Sequence, residues 1–167
     1  MRVQRPGFNS PASTLSQQEH TMIHYILPAC SGQSSERERN DCTVRALANA
    51  TGMAYAEAHA LLSKHGRRFK RGAYFGNYYK AYLEAGLTLQ GVYGGTSRAR
   101  GAGRVSNTQP GPGITLGRML PRLHTGRYVV MVTGHALAVV DGKVIDIGGS
   151  RAGSHVFALF KVPTKNQ

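Results

Sequence analysis

Arg127-Tyr128-Val129-Val130-Met131-Val132-Thr133-Gly134-His135-Ala136-Leu137-Ala138-Val139-Val140-Asp141-Gly142-Lys143-Val144-Ile145-Asp146-Ile147 is the stretch whose reading decides the fold. Arg127–Thr133 and His135–Val140 are short Val-rich runs, which reads as two strands. Asp141-Gly142 is a strong two-residue hairpin signal, so Lys143–Ile147 returns as a third strand. With Asp141 and Gly142 as the loop, Val140 pairs with Lys143, Leu137 opposes Asp146, and His135 opposes Gly148. Strand side chains alternate, so Asp146 shares a face with His135 as its diagonal neighbour, within reach of a ring N–H. A register slip of one residue would send Asp146 to the other face.

Working outward, a last strand is expected over His155–Val162 and a short helix around 115–124. Residues 94–113 form a Gly, Ser, Arg and Pro loop with no acidic residue, and Leu87–Tyr93 reads as a strand. Further upstream the period becomes helical. Asn40-Asp41 can cap a helix with an apolar stripe of Val44, Leu47, Ala48 and Thr51, ended by Gly52. A second helix over 54–65 is expected to bury Tyr55, Ala58, His59, Leu61 and Leu62 before Gly66. A third spans 76–85, closed by Gly86. Helices first and an antiparallel sheet last make the class α+β. Residues 1–36, rich in Ser, Gln, Pro and Asn, read as an extended polar arm whose apolar island Met22–Leu27 is one short strand; 37–167 is the domain.

A chain of 167 residues and 18.0 kDa can bury roughly 70% of its unfolded surface and needs no disulfide or metal staple. Cys30 and Cys42 are the only cysteines, which excludes a disulfide scaffold or a Cys-rich zinc module, and a Cys30–Cys42 bridge is not expected. No apolar run approaches a membrane span, and no apolar stretch follows the early arginines, so no signal peptide is expected. Twenty-one Lys and Arg against eight Asp and Glu leave a net charge of +13. That excess points to an anionic neighbour and says nothing of fold.

Cys42 falls in the first turn of the first helix, where backbone N–H groups and the helix dipole favour an anionic sulfur. A 100° step per residue puts it opposite the Val44/Leu47/Ala48 stripe, beside Ala46 and Asn49, facing whatever packs on the other side. Alone, such a Cys reads as a small buried hydrophobe. Combined with a His and its carboxylate orienter, it completes the parts of a thiol nucleophile triad.

Asn40-Asp41-Cys42 opening a helix, followed much later by Gly134-His135-Ala136-Leu137-Ala138-Val139-Val140 and Asp146, resembles the papain-like cysteine peptidases. The likeness is to the compact bacteriocin-processing type and to small papain-like proteins of bacteriophages, and it covers roughly residues 37–162. It implies a papain-like fold, with N-terminal helices packed on the C-terminal sheet. It also implies Cys42 as nucleophile, His135 as base and Asp146 as orienting residue, with no cofactor. The family's oxyanion Gln, some six residues before the Cys, falls here on Glu36. Gln33 or Asn40 is left to substitute, with the Cys42 N–H as second donor.

Lys64, Arg67, Arg68, Lys70 and Arg71, near Phe69, Tyr74, Phe75, Tyr78 and Tyr79, read either as a cationic and aromatic patch for nucleic acid or as a solvated helix end beside core aromatics. Arg98, Arg100 and Arg104 can add phosphate contacts or merely keep their loop soluble. His20 and His24 lie four apart without a convincing helix, so no metal site is expected. The expected function is a thiol-dependent peptidase or isopeptidase of phage origin acting on a peptide or protein substrate. The alternatives are a catalytically silent papain-like module that binds nucleic acid or virion proteins through its basic surface and arm, and a thiol acyltransferase. The expected location is the host cytoplasm or the virion.

Overall fold

The computed structural model describes the backbone of residues 25–26, then residues 38–93, 113–146, 148 and 150–164. The 127–146 stretch forms the centre of the molecule: β4 (Arg127–Val132), β5 (His135–Val140) and β6 (Lys143–Ile145). Ala138 pairs with Ile145, Val139 with Val144 and Val140 with Lys143, the register expected from the Asp141-Gly142 loop. Both loop residues have positive φ, 47° and 77°, as a type I′ turn requires. β7 (His155–Val162) runs antiparallel to β4 on the other side. Its outer edge is shared by β2 (Thr88–Val92) and β3 (Ile114–Thr115), the latter unforeseen in the sequence. β1 (Tyr25–Ile26), inside the Met22–Leu27 island, adds in parallel to β6, giving the order β1-β6-β5-β4-β7-β2.

Alternation gives this sheet two apolar faces. Val129, Met131, Ala136, Ala138, Ala158 and Phe160 share one core with α1 (Cys42–Thr51), α2 (Tyr55–Lys64) and α3 (Phe75–Glu84). Val130, Val132, Leu137, Val139, Val156 and Leu159 share another with α4 (Leu116–Met119) and the following 3-10 turn, Leu120–Arg122. The helix expected over 115–124 is thus shortened and tightened where Pro121 follows Leu120. The architecture is α+β, a largely antiparallel sheet with helices on both faces.

The layer that matters for chemistry is α1 against β5 and β4. Alanines at the contact, Ala46 and Ala50 on the helix and Ala136 and Ala138 on the strand, are all buried and admit a close approach. α1 is therefore buried nearly all round rather than along one stripe, and Thr51 turns its hydroxyl back to Leu47 O at 2.7 Å. Two tyrosines brace its first turn. Tyr82, fully buried and edge-on to Phe160 (5.1 Å, 88°), donates to Thr43 O at 2.9 Å. Tyr55 donates to Asp41 Oδ2 at 2.8 Å.

Candidate active site

Packing α1 on β5 brings the start of the helix to the start of the strand. Asn40, Asp41, Cys42, Gly72, Gly134 and His135 line one cavity of about 340 Å³. The two-residue turn Thr133-Gly134 delivers His135, and Gly134, at φ 75°, takes a backbone conformation that side chains disfavour.

His135 Nε2 lies 2.8 and 2.9 Å from the two oxygens of Asp146, one residue beyond the end of β6. Asp146 is buried, and its Oδ2 also accepts from Ser150 Oγ at 3.1 Å. Cys42, which lines the same cavity, is the second group acting on the imidazole. With Nε2 on the carboxylate, Nδ1 is the ring nitrogen left for a thiol. Asp146 foremost, then Cys42, pushes the His135 pKa up to about 10 against the opposing effect of burial. Cys42 is half-buried and free of any disulfide. A thiol thus shares its cavity with an imidazole that a carboxylate holds.

Asp41 occupies the N-cap position of α1, but its carboxylate does not cap the helix. Only its main-chain oxygen closes the first turn, on Val44 N and Arg45 N at 2.9 and 3.0 Å. The carboxylate turns aside to Arg45 Nε, 2.8 Å, and to Tyr55. This corrects the expected cap and leaves the first-turn N–H groups beside Cys42 without that acceptor. Asn40 sits in the left-handed region at φ 56°, which Asn tolerates. Its Nδ2 donates to Lys70 O at 3.3 Å, so one amide hydrogen remains for another acceptor. Gln33, Glu36, Cys30, His20, His24, Arg98, Arg100 and Arg104 lie outside the described residues.

The basic segment divides. Arg67 does not belong to an exposed patch: its side chain is buried, and Nη2 pairs with Glu38 Oε2 at 3.1 Å. Glu38 Oε1 also meets His59 Nε2 at 2.8 Å, and Oε2 accepts the Lys70 N–H at 3.0 Å. His59 is consequently a half-buried partner of Glu38 rather than a core side chain. Burial pushes the Glu38 carboxyl up, but Arg67, His59 and the Lys70 N–H outweigh it and hold it below the ordinary value. Lys64 is exposed yet shares Glu84 with His65. Arg68, Lys70 and Arg71 remain exposed, with Phe69 at 56% and Tyr74 at 77%, whereas Phe75 and Tyr78 are core. Sequence reasoning missed Glu38, Arg39 and Ser150. Glu38 carries no local signal, because its partners Arg67 and Lys70 lie 29 and 32 residues away, and nothing in the sequence around Arg39 or Ser150 singled them out.

Among the described residues, no group of three or more His, Cys, Asp or Glu is placed to hold a metal ion, and no helix is long and apolar enough to cross a membrane. No protein-family model matches this chain, and neither the curated proteins nor the solved structures contain a match.

Proposed function

We propose that this chain is a papain-like thiol hydrolase that cleaves peptide or isopeptide bonds, with Cys42 as nucleophile, His135 as base and Asp146 as orienting carboxylate. The observation that carries the reading is His135 held to Asp146 at 2.8 Å in the cavity that Cys42 also lines. Cys42 Sγ attacks the substrate carbonyl carbon, and its proton resides on His135 Nδ1. The imidazolium gives that proton to the leaving amine as the C–N bond breaks, which leaves a thioester. Water then attacks the thioester, His135 takes the water proton, and the thiol is restored as acid product departs. Asp146 accepts Nε2–H throughout, so that Nδ1 is turned to the sulfur. The Cys42 N–H and the remaining Asn40 amide hydrogen are the donors on hand for the oxyanion.

A binding-only module is the second reading, favoured by the exposed Arg68, Lys70 and Arg71 beside the cavity. Iodoacetamide labelling at neutral pH separates the two. The hydrolase reading expects Cys42 to react at least tenfold faster than Cys30, and His135→Ala to remove most of that advantage. Equal rates at the two cysteines, or a Cys42 rate indifferent to His135→Ala, leave only the binding module.

A further inference from the structure

The segment leading into Cys42 and the loop after α2 are stitched together at the cavity mouth. Glu38 accepts the Lys70 N–H, and two residues later Asn40 donates to Lys70 O. Arg39, between them, is exposed, as are Arg68, Lys70 and Arg71 on the facing loop. The next residue, Gly72, lines the cavity with Cys42 and His135. Among the described residues, the carboxylates of this neighbourhood are already engaged: Glu38 by Arg67 and His59, Asp41 by Arg45 and Tyr55, and Asp146 by His135. Exposed Phe69, with Lys70 Nζ 5.1 Å from its ring centroid, and exposed Tyr74 add apolar surface to the same loop.

We propose that this rim makes the site selective for acidic peptides, taking chains with Asp or Glu within a few residues of the bond presented to Cys42. The proposal rests on the hydrolase reading and names its substrate class. Arg39 adjoins Asn40 and Arg71 adjoins Gly72, both of which line the cavity at the thiol, so a chain whose carbonyl reaches Cys42 comes into the field of these cations. Clustered like charges at a cleft mouth raise both local concentration and capture rate of an oppositely charged chain, by about tenfold or more at low salt. That advantage shrinks as the screening length falls from about 30 Å at 0.01 M salt towards 3 Å at 1 M.

Two peptidyl vinyl sulfones, thiol-alkylating probes identical except for an Asp-Glu or a Lys-Lys pair, test this on the full chain. At low salt the acidic probe is expected to inactivate Cys42 about tenfold faster than the basic one, and the ratio should collapse in 1 M salt. In Arg39→Glu/Arg71→Glu the ratio should approach one or invert. Because it is a ratio, any general change in Cys42 reactivity cancels, and the salt series on the unaltered chain decides the matter even if that variant fails to fold. A ratio near one at low salt, or one that survives both salt and charge reversal, overturns the proposal. So does a ratio near one beside single-stranded DNA binding that the double variant loses, which assigns the rim to nucleic acid. If iodoacetamide finds Cys42 no more reactive than Cys30, the hydrolase reading and this inference fall together. Probes that fail to discriminate on a Cys42 that iodoacetamide labels quickly sink the rim alone.

Discussion

The two walls of the Cys42 cavity are held by different physics. On one side, β4, β5 and β6 form an antiparallel ladder whose turns, Thr133-Gly134 and Asp141-Gly142, are two residues each, so the position of His135 against Asp146 follows from register. On the other side, residues 38–41 meet residues 67–72 without a ladder, and both Asn40 and Lys70 have left-handed backbones. That wall depends on Glu38, whose buried carboxylate gathers Arg67, His59 and the Lys70 N–H. Many small, local contacts fix the imidazole, whereas one long-range charge cluster fixes the rim. Damage to one wall should therefore be separable from damage to the other.

The largest expected effect breaks the rim wall. Glu38→Ala strands the Arg67 guanidinium, which is buried and already has Nε without a hydrogen-bond partner among the described residues. Leaving a buried charge uncompensated costs about 3–5 kcal/mol, measurable by urea denaturation. Glu38→Ala combined with Arg67→Met should recover most of it, since both charges are then gone. A single-variant loss below about 1 kcal/mol shows that water already reaches Arg67 and that the cluster is not what holds this wall.

A smaller loss is expected on the ladder side. Gly134→Ala forces a side chain into φ 75°, which costs about 1–2 kcal/mol. The Cβ itself meets nothing within 4 Å, so the penalty is backbone strain, felt one residue from His135. Thermal unfolding should drop accordingly, with slower iodoacetamide labelling of Cys42. A variant as stable as the parent would mean that the turn relaxes without moving the imidazole.

His135 sharpens the comparison through pH. Its pKa is raised to about 10 in the fold, against about 6.5 unfolded, chiefly by Asp146. The contribution to stability is thus fully present below about pH 6.5 and is lost as pH climbs through about 10. Solvent reaches part of the ring, so screening reduces it to on the order of 1 kcal/mol. An NMR titration should find the ring still protonated at pH 8, and Asp146→Asn should move its midpoint towards 6.5. A midpoint near 6.5 in the unaltered chain would show that the His135–Asp146 bond does not persist in solution.

The same contrast explains what was legible in the sequence. The ladder was readable because its rules are local: alternation, a two-residue Asp-Gly turn, and a fixed count from Val140 to Asp146. Cys42 and His135 became a pair only through the packing of α1 on β5, which helical spacing hinted at by setting Cys42 opposite the Val44 stripe. Arg67 was misread because Lys64 to Arg71 look alike as letters. Nothing nearby announced that Arg67 alone would turn inward, since its partner Glu38 is 29 residues earlier. The cap was misread for a related reason: the Asp41 carboxylate found Tyr55, 14 residues away, in place of its own first turn.

The smallest effect belongs to Asp141, the acid on the ladder that takes no part in the proposed chemistry. It stands at φ 47° before Gly142 at φ 77°, its Oδ1 accepts Gly126 N at 2.9 Å, and its own N–H returns to Gly126 O at 2.8 Å. Asn keeps the side-chain oxygen, tolerates the left-handed backbone and forms the favoured Asn-Gly turn, so Asp141→Asn should shift stability by less than about 0.5 kcal/mol. Labelling of Cys42 should not change. Asp141→Ala removes the acceptor and the residue type that tolerates positive φ, and should cost about 1–2 kcal/mol. Paired with Asp146→Asn, these variants ask whether geometry or charge matters at each acid of the hairpin. If Asp141→Asn slowed Cys42 labelling while Asp146→Asn did not, register would not be what aims His135, and the contrast between the two walls would fail on the ladder side.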